Sequence, residues 1–306
     1  MPRSLPNTSA RRKLLYALLG DLPQRQRPIQ AKKLGEEDRE SYVLERWVLD
    51  LNGAAAVPTV FCRPLRAAKP YPAVLFNHAH GGDYKGGKQE LTEPKAILLN
   101  KPHAHALAQR GIASCCIDQW NFGERHQRPE SELFKEHLWF GRVLWGLMVY
   151  DNLRALDWLC ARRDVDAARI GTLGLSMGAT MSWWTAALDE RVKVTADLCC
   201  LTDFHELIRT RGLDGHGLYY FVPSLLKHFD TAGINALIAP RPHLTLNGDY
   251  DRLTPPAGLD TVERAMKKVY RQCGAPDAWK SFRDMTGHFE THAMRAEILT
   301  WFERWL

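Results

Sequence analysis

At 306 residues the chain is long enough for one large α/β domain, so two separate domains are not required. With 45% hydrophobic and 25% charged residues and 10 Trp, 11 Phe and 9 Tyr, it holds too much apolar area for a disordered or fibrous protein. Of the net charge of +6, residues 1–40 contribute +4, with 9 Lys/Arg against 5 Asp/Glu, so the body is nearly neutral and offers no basic face to nucleic acid.

Residues 1–40 read as an N-terminal helical extension. Arg11, Arg12 and Lys13 precede only a short apolar stretch, Leu14 to Leu19, without a clean cleavage site, so no secretory signal is expected. The richest later apolar run, Trp139 to Tyr150, is broken by Arg142 and falls short of the roughly 18 residues a spanning helix needs. A soluble protein without membrane contact is expected. Two of the seven cysteines' pairings, Cys115-Cys116 and Cys199-Cys200, are adjacent residues in strand-like runs, whose side chains point to opposite faces. They read as buried free thiols, which suits a reducing cytoplasm.

From residue 41 to 306, strand-like and helix-like segments alternate, which predicts an α/β domain with a mostly parallel sheet covered by helices on both faces. Tyr42 to Leu49 and Val57 to Arg63, with Asn52-Gly53 between them, read as an opening antiparallel pair. Ala73 to Asn77, Ile112 to Asp118, Arg169 to Leu175, Val192 to Cys200, His243 to Asn247 and Trp279 to Met285 complete eight strands. Helical patterns cover Pro94 to Arg110, Arg142 to Ala161, Met177 to Leu188, Gly258 to Cys273 and Glu290 to Leu306. Two insertions, about 119–140 and 202–239, fit neither pattern. Long excursions after parallel strands build the rim of a binding site, or else pack or carry a homo-oligomer contact.

Gly174-Leu175-Ser176-Met177-Gly178 stands between a strand and a helix. That context makes G-x-S-x-G a nucleophile elbow, a sharp turn that exposes the serine hydroxyl, with Gly174 and Gly178 relieving the crowding. A hydroxyl needs a base and a carboxylate to orient that base. Asp251 follows the strand His243 to Asn247, and His288 follows the last strand, so Ser176, Asp251 and His288 keep the order serine, acid, histidine. Taken singly, the serine is a helix cap, the aspartate a turn residue and the histidine one of 12. Three matches in the right order at strand ends favour catalysis. Asp249 and Asp203 compete with Asp251 as the acid. The amide of Met177 is one expected oxyanion donor, and the backbone N–H of His80, in His78-Ala79-His80-Gly81-Gly82 after an earlier strand, is the other. Trp120, Phe122, Trp139, Phe140, Tyr219, Tyr220 and Phe221 in the two insertions are candidates for a substrate pocket or for packing. Trp183 and Trp184 read as core.

These segments, with Val165-Asp166-Ala167-Ala168-Arg169-Ile170-Gly171 and Ala236-Leu237-Ile238-Ala239-Pro240-Arg241-Pro242, resemble the α/β-hydrolase superfamily, nearest its dienelactone hydrolase and acetyl xylan esterase-like branch. The resemblance covers nearly everything after residue 40. It departs at Ala79, where relatives commonly carry glycine. It implies an α/β-hydrolase fold and a serine esterase that cleaves small-molecule carboxylic esters without a cofactor.

Other chemistries fit less well. Gly82-Asp83-Tyr84-Lys85-Gly86-Gly87-Lys88 imitates a phosphate-binding loop, but Gln89 stands where the magnesium-binding hydroxyl belongs. His78 with His80, or His103 with His105, lacks a placed third ligand, and no Cys/His array has zinc spacing, so no metal is expected. No cysteine occupies an elbow. An acyl-peptidase-like amide hydrolase and a non-catalytic binding protein on the same fold are the alternatives.

Overall fold

The computed structural model describes residues 3–93, 95–98 and 101–306. After helix α1 (Thr8–Ala17), strands β1 (Gln30–Asp38), β2 (Tyr42–Asp50) and β3 (Val57–Pro64) form an antiparallel run. Strand β4 (Tyr71–Asn77), helix α2 (His103–Ala108) and strand β5 (Ala113–Ile117) follow. Helices α3 (Glu130–Trp139) and α4 (Leu144–Ala161) lead to β6 (Val165–Leu175), α5 (Met177–Leu188) and β7 (Val192–Leu198). Short helices α6 (Phe204–Arg209) and α7 (Thr231–Asn235) precede β8 (His243–Gly248), α8 (Pro256–Gln272), β9 (Trp279–Asp284) and α9 (His292–Trp305).

The nine strands lie in the order β1-β2-β3-β5-β4-β6-β7-β8-β9. Strand β3 is antiparallel to β5, and every pair from β5 to β9 is parallel. Strands β4, β5, β7 and β8 and the second half of β6 are buried almost throughout, because helices cover both faces, and this is why they read as continuous apolar runs. Alternation divides them between two cores. Ala73, Leu75 and Ile170 face α1, α4, α5 and α8, whereas Val74, Phe76 and Leu173 face α2 and α9. Trp183 and Trp184 are fully buried in the first core.

Three expectations need correction. The sheet has nine strands rather than eight, because Gln30–Asp38, read as part of a helical extension, is an edge strand paired antiparallel with β2. It is almost wholly exposed, so charged residues on both faces replace the apolar alternation that marks a half-buried strand. The helix expected over Pro94 to Arg110 is confined to His103–Ala108, and Pro94, Leu99 and Asn100 lie outside the described residues. Helix α1 is built into the core. Leu15 and Leu19 are fully buried, and Arg12 donates to the carbonyls of Ala187 (3.0 Å) and Leu237 (2.9 Å). Among the described residues no helix is long and apolar enough to cross a membrane.

Candidate active site

Strand β6 ends at Leu175, and Ser176 turns the chain into α5 with φ 59° and ψ −119°. A serine held at positive φ is strained, and the surrounding hydrogen bonds fix it. Its amide donates to Leu198 O (2.9 Å) and its carbonyl accepts from Thr180 N (3.0 Å). Both flanking glycines are sterically required. A Cβ on Gly178 would stand 1.8 Å from Asn77 O, and one on Gly174 would stand 2.5 Å from the same atom. The end of β4 is therefore pressed against the elbow. Asn77 is locked there by donating to Ser182 Oγ (2.9 Å) and accepting from Asn152 Nδ2 (2.7 Å).

The loops after β8 and β9 are equally close, since a Cβ on Gly248 would lie 2.3 Å from the carbonyls of Thr286 and Gly287. This contact brings Asp251 to His288. His288 Nδ1 lies 2.7 Å from Asp251 Oδ2, and the other carboxylate oxygen accepts the Leu253 amide at 2.9 Å. Because an ionised carboxylate only accepts, the ring proton belongs on Nδ1, which leaves Nε2 as a base. Asp251 is buried. The competing carboxylates are engaged elsewhere: Asp249 takes the Arg283 Nε–H at 2.5 Å, and Asp203 caps α6 by accepting Glu206 N at 3.1 Å. Ser176 and His288 line one cavity of about 230 Å³, together with His80, Gly81, Gly82, His216, Tyr219 and Tyr220.

The loop after β4 sets the cavity's opposite wall. His78 is buried, donates from Nδ1 to Ala79 O (3.0 Å) and accepts the Gln119 amide on Nε2 (3.1 Å). Burial pushes its pKa down to about 4, so the ring stays neutral. Ala79 donates its amide to the buried Glu90 (3.0 Å). His80 accepts the Gly82 amide on Nδ1 (3.1 Å) and reaches Glu130 Oε2 with Nε2 (3.0 Å). The lysine of the phosphate-loop lookalike is committed as well. Lys88 is buried, with its ammonium 2.8 Å from Asp118 and 2.6 Å from Glu124, and a Cβ on Gly87 or Gly123 would collide with the Asp118 carboxylate. His103 and His105 diverge. The first lies 3.3 Å from Glu290, and the second lies 3.1 Å from Ser41 Oγ.

Of the aromatic candidates, Tyr219 and Tyr220 line the cavity that Ser176 and His288 share, and Trp120 and Phe122 do not. Phe122 packs beneath the loop, edge-on to His80 at 5.2 Å, and Trp120 is covered by the Arg125 guanidinium at 4.4 Å. Phe221 lines a separate apolar cavity of about 480 Å³ with Trp184, Phe204 and Leu225. Trp139 and Phe140 are exposed. Sequence reasoning missed His216, Cys199, Cys200 and Glu130. His216 stacks on Tyr220 at 5.5 Å, and its place between Gly215 and Gly217 was the available signal. The Cys199 thiol lies within 4.8 Å of ligand atoms of Asp251 and His288, a set that a metal ion would accept by type. Burial pushes that thiol well up, away from the thiolate a metal needs, while Asp251 and His288 bond to each other.

A family model described as the Abhydrolase family matches residues 9–299. The chain is 50% identical over 296 residues to "Putative hydrolase YtaP" of Bacillus subtilis (strain 168), covering 97% of this chain and 99% of that protein. Among solved structures, a glucuronoyl esterase from Solibacter usitatus superposes with a TM-score of 0.69 at 16% identity, covering 97% of this chain and 91% of its own. An acetyl xylan esterase from Paenibacillus sp. R4 does so with a TM-score of 0.60 at 17% identity, covering 100% and 96%. At such identities the two structures speak for the fold.

Proposed function

The chain belongs to the Abhydrolase family and has an α/β-hydrolase fold, and from that premise we propose that it hydrolyses carboxylic esters through an acyl-enzyme on Ser176. The observation that carries the reading is the 2.7 Å contact between His288 Nδ1 and a buried Asp251, in the cavity that Ser176 shares with His288. In this mechanism Ser176 Oγ attacks the acyl carbon while His288 Nε2 takes its proton. Asp251 holds the tautomer and stabilises the imidazolium. The negative oxygen of the tetrahedral intermediate accepts the amide of Met177, one of the unpaired N–H groups at the start of α5, and the amide of His80. Collapse breaks the bond to the alcohol, which leaves with the proton from His288. Water, deprotonated by the same histidine, then cleaves the acyl-enzyme and restores the serine.

The names of the relatives support this class, with a hydrolase in one and esterases in two. A cavity of about 230 Å³ suits small to medium acyl groups. The test compares matched aryl esters and anilides, with and without EDTA. Ester turnover exceeding anilide turnover and unaffected by EDTA is expected. Faster anilide turnover, or activity abolished by EDTA and restored by zinc, would contradict it.

A further inference from the structure

We propose that Glu130 is a positioning residue of this site: acting through the His80 imidazole, it fixes the loop whose backbone amide receives the oxyanion. The inference rests on the ester-hydrolase reading and deepens it.

The loop after β4 is not rigid by its own chemistry. Gly81 and Gly82 both adopt left-handed φ, 53° and 69°, and glycines supply little intrinsic stiffness. Two of its amides are already spent, Ala79 on Glu90 and Gly82 on the His80 ring, which leaves the His80 and Gly81 amides between them to meet a substrate oxygen. The direction of the His80 amide depends on where its side chain is held. That side chain has one tautomer consistent with its partners. Nδ1 accepts the Gly82 amide, so the ring proton sits on Nε2 and is donated to Glu130 Oε2 at 3.0 Å. His80 is therefore spoken for as an acid or base, and its imidazole serves as a strut.

Glu130 is well placed to anchor that strut. It is the first residue of α3, it is buried, and as an anionic acceptor it makes a charge-assisted bond. The same carboxylate is reached by the Tyr84 hydroxyl at 3.3 Å and the Tyr219 amide at 3.4 Å. One side chain thus gathers the loop after β4, the excursion carrying α3 and the segment that lines the cavity with Tyr219. The Tyr219 ring stacks on His80 at 5.3 Å and 20°, and Phe122 and Tyr84 close its other sides at 5.2 and 5.0 Å. The excursion 119–140 therefore acts from behind the oxyanion loop.

The experiment is steady-state kinetics of the full chain on an activated small-acyl ester, for E130A, E130Q, H80A and the double variant E130A/H80A. Loss of an oxyanion donor costs about 10² to 10³ in kcat, and loosening one should cost E130A about 10 to 10², with KM changed less than about threefold. E130Q keeps an acceptor for Nε2–H and should recover most of that loss. Because Glu130 acts through His80, the double variant should be no slower than the slower single variant. Wild-type kcat in E130A, or losses that multiply in the double variant, would overturn the inference. Should E130A fail to fold, H80A decides alone, since it keeps the backbone amide but loses the strut: a kcat at the wild-type level overturns it. An inactive wild type would overturn the ester reading itself, whereas an active wild type with unaltered variants overturns this inference only.

Discussion

At the scale of single residues, the site is made by close approaches that a few side chains could not survive. Gly178 touches Asn77 O so tightly that Gly178→Ala should cost at least about 3 kcal/mol, read as a lower denaturant midpoint, because neither backbone has room to retreat. An unchanged midpoint would mean that β4 and the elbow are not pressed together. Asp251→Asn should slow turnover by about 10⁴ by leaving His288 in the wrong tautomer, whereas Asp249→Asn and Asp203→Asn should leave kcat nearly intact, since those carboxylates serve Arg283 and the cap of α6. A large loss in Asp203→Asn would move the acid to the other strand. The placement of Ser176, Asp251 and His288 after strands was legible in the sequence because the elbow is a local pattern and each apolar run marks its strand. Glu130 and His216 were not, because their position beside the cavity is made by tertiary contacts between distant loops.

Among the elements, the buried strands announced themselves through apolar runs, and the edge strand β1 did not, because its exposed faces carry Lys32, Lys33, Glu36, Glu37 and Asp38. Helix α2 is shorter than its apolar pattern, and the Leu98 and Glu290 backbones pair there instead. The segment before β8 that resembled other hydrolases has a structural use. Arg241, partly exposed yet bonded inward, donates to the carbonyls of Ala186 (2.6 Å) and Asp189 (3.0 Å) at the end of α5 and of Val192 (2.5 Å) at the start of β7. The N-terminal helix was legible as a helix but not as part of the core. Leu19 is fully buried where the chain runs against α4, so close that a Cβ on Gly146 would stand 2.0 Å from Leu19 O. Leu19→Ala should therefore cost about 2 to 5 kcal/mol in equilibrium unfolding. A change below about 0.5 kcal/mol would show that the segment formed by α1 and the residues just after it is an accessory and not a structural member.

For the molecule as a whole, folding keeps His78 neutral, buried behind the loop that lines the candidate site. Its pKa falls from an ordinary 6.5 to about 4, first because of burial, with the neighbouring Lys95 and His80 pushing the same way and the Ala79 carbonyl and Asp118 opposing. The stability this gives is present above pH 6.5 and is lost as pH falls toward 4, because the unfolded chain takes up a proton that the folded chain refuses. Relative to His78→Asn, the wild type should lose on the order of 3 kcal/mol over that interval. A difference that stays constant from pH 7 to 4 would show that His78 is not held neutral. The antiparallel entry, the parallel sheet, the two cores and the convergence of three loops place Ser176 in the cavity it shares with His288, whose ring is held by the buried Asp251. The most direct measurement of that claim is covalent labelling with a fluorophosphonate, followed by mass mapping of the modified peptide and circular dichroism of the variant. One label per chain is expected on Ser176, and none in a folded Ser176→Ala; an unlabelled wild type, or a Ser176→Ala variant that still takes up the label, would contradict the assignment of Ser176 as nucleophile.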